Sequence, residues 1–169
     1  VPAGPDPPLR LQPPLAIAMN SATGEIAIRS ESTVAVLDRN SSGNYTKKQE
    51  SEIAGETGAV LAFGGSTLLA GLEDGRVLLL DSATLKVKQE IPPAGNTTPR
   101  FAQASPDGRW FVLLSHTRML RMIDAKEGKP AGVSFTGQGD ISAAAFSADR
   151  LLVSDRVNRV TTYRLDTLQ

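Results

Sequence analysis

The sequence predicts an all-β protein in which one strand-and-turn unit is repeated four times, and three observations carry this. Apolar runs of four to six residues alternate with clusters of turn-forming residues along nearly the whole chain. Val34-Ala35-Val36-Leu37-Asp38 returns 43 residues later as Val77-Leu78-Leu79-Leu80-Asp81, and after another 43 as Leu120-Arg121-Met122-Ile123-Asp124. No amphipathic pattern of helical period extends beyond two turns.

A fourth copy, Val160-Thr161-Thr162-Tyr163-Arg164, follows after 40 residues and ends in Arg instead of Asp. The second and fourth copies align without a gap in one constant register, two repeats apart. Phe63 then meets Phe146, Leu68-Leu69 meets Leu151-Leu152, Arg76-Val77 meets Arg159-Val160, and Thr84-Leu85 meets Thr167-Leu168.

Each copy reads the same way from its N-terminal side. A first strand is expected at Leu15 to Met19, Ala59 to Phe63, Phe101 to Ala104 and Ile141 to Phe146. Ala22-Thr23-Gly24, Gly64-Gly65-Ser66, Pro106-Asp107-Gly108 and Ala148-Asp149-Arg150 follow as tight turns, where Gly and Asp supply positive φ and side-chain bonds to the backbone. Second strands fall at Glu25 to Arg29, Leu68 to Gly71, Trp110 to Leu114 and Leu151 to Ser154. The pentapeptides quoted above are the third strands. Fourth strands are visible at Tyr45 to Ile53, Lys86 to Ile91 and, more weakly, Ala131 to Phe135.

Four antiparallel strands in 40 to 43 residues make a β-propeller blade. The expected layout is a Pro-rich linker over residues 1–14, then a domain over 15–169 with blades near 15–53, 59–91, 101–135 and 141–169. The chain resembles the WD40-like and YVTN-like propeller repeats. Ser105-Pro106-Asp107-Gly108-Arg109-Trp110 is similar to the turn between the first two strands of such blades. Leu72-Glu73-Asp74-Gly75-Arg76-Val77-Leu78-Leu79-Leu80-Asp81 is similar to their hairpin and third strand. The Gly-His and Trp-Asp pairs of true WD40 blades are missing, since Asp38, Asp81 and Asp124 follow Leu, Leu and Ile.

The fourth copy stops where its fourth strand should begin. Either Leu9-Arg10-Leu11-Gln12 supplies that strand and closes a small four-bladed ring, or the chain is about half of a seven- or eight-bladed propeller whose remaining blades lie downstream or on another copy. The half-propeller exposes two apolar blade faces, and two such halves related by a twofold axis make one eight-bladed ring. Pro2, Pro5, Pro7, Pro8, Pro13 and Pro14 crowd the start, so this segment reads as an extended linker in a domain cut from a longer polypeptide.

Composition narrows the chemistry. Eighteen Lys and Arg balance 18 Asp and Glu, which argues against nucleic acid as a partner. The chain has no Cys, which removes disulfides and thiolate sites. His116, the one histidine, sits in a turn, and without a second His or a nucleophile motif neither a catalytic triad nor a His-based zinc site is expected. Asp74-Gly75, Asp107-Gly108 and Asp140 lack calcium-loop spacing, and Gly64-Gly65 lacks the Lys of a phosphate loop, so both read as turns. Trp110 reads as packing. Asn40, Asn44 and Asn96 begin glycosylation triplets in polar loops, which arise readily by composition.

The candidate site is a set of arginines. Arg76, Arg118, Arg121, Arg156 and Arg159 lie in or beside the turns leading to third strands, which in neighbouring blades project from one rim. They form a candidate patch for an anionic partner. No catalytic residue, metal site or cofactor is expected.

The function that follows is a non-enzymatic interaction, sensing or scaffold domain of a larger protein. Its partner is another protein or the remainder of its parent chain, with a homodimer possible. The Pro-rich lead Leu9-Arg10-Leu11-Gln12-Pro13-Pro14-Leu15, followed by degenerate blades, resembles the soluble insert of bacterial phosphate-type ABC transporter permeases. That resemblance implies a soluble domain, in the periplasm, of an inner-membrane protein whose spanning helices lie outside this chain. The alternatives are a ligand-binding or enzymatic propeller with its site at the rim or channel, and a structural half-propeller that dimerises.

Overall fold

The computed structural model describes residues 15–53, 58–95, 97–132, 135 and 140–167. These form four antiparallel sheets, each a meander with its strands in chain order. Blade one is β1 (Ala16–Met19), β2 (Ile26–Arg29), β3 (Thr33–Arg39) and β4 (Tyr45–Glu52). Blade two is β5 (Gly58–Gly64), β6 (Thr67–Leu72), β7 (Val77–Asp81) and β8 (Val87–Ile91). Blade three is β9 (Pro99–Ala104), β10 (Trp110–Ser115), β11 (Leu120–Asp124) and β12 (Lys129–Pro130). Blade four is β13 (Ile141–Ser147), β14 (Arg150–Asp155) and β15 (Val160–Arg164).

The sequence repeat is a repeat of register. Leu61 pairs with Ala70 and Phe63 with Leu68 in blade two, as Ala144 pairs with Val153 and Phe146 with Leu151 in blade four. Even the irregularities recur. A bulge falls between Gly58 and Val60 and again, at the equivalent place of blade four, between Ile141 and Ala143. Another falls between Val36 and Leu37 and again, one repeat on, between Leu79 and Leu80.

Because side chains alternate across a strand, each blade presents an apolar surface on both faces. Three cores result, one at each seam. Ala27, Val34 and Val36 of blade one meet Leu61, Leu68, Leu78 and Leu80 of blade two. Val60, Leu69, Val77 and Leu79 on the reverse of blade two meet Phe111, Leu113 and Ile123 of blade three. Trp110, Val112, Leu114 and Met122 then meet Ile141, Leu151, Val153 and Tyr163 of blade four. The turns β5–β6 and β9–β10 touch at the second seam, where a Cβ on Gly108 would lie 2.9 Å from the Gly64 carbonyl carbon. Only glycine fits there, and Gly108 also has φ +71°.

Two expectations are corrected. The four blades do not close into a small ring, because no buried core among the described residues joins blade four to blade one. The array is open, and the segment Leu9 to Gln12 lies outside the described residues. The fourth strand of blade three is the two-residue β12 at Lys129–Pro130, ahead of the expected Ala131, whose N–H still reaches the Met122 carbonyl at 2.8 Å; Val133 and Ser134 of the expected strand lie outside the described residues. Phe135 instead packs into the third seam, its ring edge-on to Tyr163 with centroids 5.2 Å apart.

Leu79 is 1% exposed at the centre of the second seam. Leu79→Ala is expected to cost about 2–5 kcal/mol by chemical denaturation, the lost burial of the side chain plus the cavity it leaves.

Candidate functional site

The turns of both rims are built around carboxylates. In the β9–β10 turn, Ser105 Oγ accepts the Trp110 N–H at 2.9 Å and donates to Asp107 Oδ1, which accepts the Arg109 N–H at 3.1 Å. Asp81 and Asp124, which end third strands, fold the chain toward the fourth strand. Asp81 Oδ1 accepts the N–H groups of Ala83 and Thr84 at 3.1 and 3.0 Å, and Asp124 Oδ1 those of Lys126 and Glu127 at 2.8 and 2.9 Å. Asp74 and Asp155 do the same in the turns between second and third strands. The Asp-Gly pairs noted in the sequence therefore act as turn chemistry.

This accounting divides the five arginines. Arg76 is bound to Asp74 at 2.5 Å and Glu90 at 3.0 Å, and Arg159 to Asp155 at 2.7 Å. Arg121 is half-buried and donates to the Pro92 carbonyl at 3.0 Å, tying blade three to the loop after β8. Burial pushes its guanidinium down from the ordinary range. Arg118 and Arg156 make no ion pair among the described residues and lie in equivalent turns of blades three and four. Of the five candidate arginines, these two are the ones whose side chains make neither an ion pair nor a carbonyl bond among the described residues.

Arg118 has a second peculiarity. Its φ is +62°, while Gly75 and Asn158 occupy the corresponding turn positions with φ +86° and +63°. A left-handed conformation costs an ordinary L-residue about 1–2 kcal/mol, which Gly avoids and Asn partly offsets. Arg at this position is locally unfavourable, so its presence is not explained by the turn.

His116 is exposed in the same turn, where its backbone N–H reaches the Thr98 carbonyl at 3.0 Å. Trp110 is buried, with the Arg109 guanidinium 4.7 Å from its ring centroid. Asn40 uses its side-chain carbonyl to accept the N–H groups of Ser42 and Asn44, while Asn96 lies outside the described residues.

Two polar clasps were not legible in the sequence. The Arg100 guanidinium donates to the carbonyls of Ser115 and Ser142 at 3.2 and 3.1 Å, bridging blades three and four. Gln103 Oε1 accepts the Phe146 N–H at 3.2 Å across the same seam. Inner strands β1, β5, β9 and β13 border a cavity of about 410 Å³ whose walls include Ile17, Met19, Phe63, Gln103 and Phe146. None of its lining residues is titratable. Among the described residues no three His, Cys, Asp or Glu side chains converge to hold a metal.

No protein-family model and no curated protein matches the chain. Solved structures do. The crystal structure of the computationally designed Ika4 protein superposes with a TM-score of 0.71 at 13% identity, covering 92% of this chain and 93% of that one. The β-propeller domain of Cps50 (Swd1) from Myceliophteria thermophila superposes with a TM-score of 0.70 at 15% identity, covering 95% of this chain. The chain spans 56% of that domain, about half of a propeller. The shared property is the fold, an all-β, propeller-type array, which in this chain comprises four blades and is open.

Relief of strain makes Arg118 testable. Arg118→Gly is expected to raise stability by up to about 1 kcal/mol in thermal denaturation, whereas the exposed Arg156→Ala shifts it by less than about 0.5 kcal/mol. A loss on Arg118→Gly would show that the arginine is structural.

The turn carboxylates predict acid sensitivity. The Arg159 N–H, foremost, holds Asp155 below its ordinary value; partial desolvation opposes this, and the Arg159 side chain and Val157 N–H reinforce it. Lys88, then Thr84, does the same for Asp81. For Asp74, desolvation is the largest single influence and raises it, but the bonds from Arg76 together outweigh it. Carboxyls depressed on folding contribute stability above their unfolded pKa of about 3.9, and that stability is lost as pH falls through the folded values. Melting temperature is expected to hold from pH 7 to 5 and fall below about pH 4. Asp155→Asn should flatten that fall.

Proposed function

We propose that the chain is a non-enzymatic interaction and scaffold domain, and that its docking surfaces are the two blade faces at the open ends of the array. One observation carries this reading. Ile17 and Met19 on the free face of blade one are 65% and 64% exposed, although their neighbours in the same sheet are apolar and buried. A blade face of this kind is covered by another blade wherever the chain continues. Ile28, Ala35 and Leu37 of the same face are buried, so the exposed part is its inner edge, and adjacent exposed apolar side chains on a rigid sheet mark a contact site. Arg118 and Arg156 on the rim are a secondary, anion-attracting element of the same scaffold.

The alternative of an enzyme with its site in the channel draws no support from the cavity, which offers a catalyst no acid, base or nucleophile beyond Ser hydroxyls. The narrower reading as the soluble domain of a bacterial ABC transporter permease is supported by the Pro-rich lead alone. It predicts membrane-spanning helices in the parent polypeptide.

Hydroxyl-radical footprinting of Met19 tests the main reading. In the intact parent protein Met19 should be protected relative to the urea-unfolded chain. Oxidation in the parent as fast as in the unfolded chain would mean that this face docks nothing.

A further inference from the structure

The two open faces complement each other. Each seam joins the face that a blade turns forward to the face that the next blade turns back. In blade two the backward face consists of Leu61, Phe63, Leu68, Ala70, Leu78 and Leu80. The pairing ladders place Ile17, Met19, Ile26, Ile28, Ala35 and Leu37 of blade one at those six positions. Leu61 is 6% exposed and its counterpart Ile17 is 65% exposed, while Ile28, Ala35 and Leu37 are only 9%, 3% and 4% exposed, so the open part of this face is its inner edge, Ile17, Met19 and Ile26.

The same holds at the far end. Blade two turns Val60, Ala62, Leu69, Val77 and Leu79 forward into blade three. The ladders of blade four set Ala143, Ala145, Leu152, Val160 and Thr162 at those positions. Val77 is 1% exposed, and Val160 is 63% exposed.

Size agrees with a match between these ends. The first seam sets small forward residues, Ala16, Ala18 and Ala27 with two valines, against backward Leu and Phe. Blade four offers Ala143, Ala145 and Val160 forward, and blade one offers Ile17, Met19 and Ile26 backward.

We infer that the occupant of both faces is a second copy of this chain. Blade four of each copy packs on blade one of the other, and the twofold pair closes a ring of eight blades. Eight lies within the range that propellers adopt, and closure leaves no open end to propagate a filament. This inference rests on the reading of the end faces as docking surfaces and names what docks there.

The test combines mass and cross-linking. Light scattering from 1 to 100 μM should give a dimer of twice the 17.9 kDa chain. Ile17→Asp and Val160→Asp, at positions already exposed, should each remain folded by circular dichroism and run as monomers. The chain has no cysteine, so introduced thiols report cleanly. Met19→Cys mixed with Ala145→Cys should give a disulfide-linked dimer, while either variant alone should not. A wild-type monomer throughout, a dimer that survives both Asp substitutions, or cross-linking of Met19→Cys with itself overturns the inference. If the chain is monomeric while Met19 is protected in the parent protein, only the identity of the occupant is wrong. If Met19 is unprotected there too, the docking reading fails with it.

Discussion

A blade in this fold is apolar on both sides, and that constraint organises everything else. Thr67–Leu72 and Trp110–Ser115 are buried at every position, so the middle strands of the inner blades read as unbroken apolar runs. A sheet facing water on one side shows alternation instead. No inner blade is stable as a unit, because half of its apolar surface belongs to a neighbour. Stability is therefore stored at seams and comes in nearest-neighbour portions, as in other repeat architectures.

The polar groups hold the seams in register. Asp74, Asp81, Asp107, Asp124 and Asp155 close turns by accepting backbone N–H groups that the strands leave unpaired. The third strands therefore end in Asp for a local reason, which does not require the hydrogen-bonded tetrad of WD40 blades. Where blade four replaces that Asp by Arg164, Asp166 follows and binds its guanidinium instead. Polar side chains bridge the later seams, Arg121 and Thr98 reaching carbonyls of blade two and its following loop, and Arg100 and Gln103 bonding across to blade four.

Much of this was legible in the sequence because the repeat is a geometric quantity. The register that superposes Phe63 on Phe146 also superposes their pairing partners and the bulge between Ile141 and Ala143. Strand ends were less legible. Ala131 to Phe135 has strand-like composition, but the paired residues are Lys129 and Pro130, and Phe135 packs against Tyr163. The pairing of the five candidate arginines was the least legible feature. Five arginines share one sequence context, yet carboxylates at short range claim Arg76 and Arg159, and a carbonyl claims Arg121. Sequence spacing shows which residues project from a rim. It does not show which of them are neutralised by the turn that carries them.

Burial at the ends of the array shows what the interior logic leaves over. In β14 only Leu151 and Val153 are fully buried, and both face blade three. Leu152, on the other side, is partly exposed, whereas its counterpart Leu69 is completely covered. Blade one mirrors this, with Ala16 and Ala18 turned to the first seam and Ile17 and Met19 turned away from it. A surface that needed only to be wet would carry polar residues at those positions, as β4 does along Lys47, Lys48 and Glu50. The end blades instead keep the apolar side chains of an interior blade at interior positions. Their composition fits a surface that is covered in the working protein.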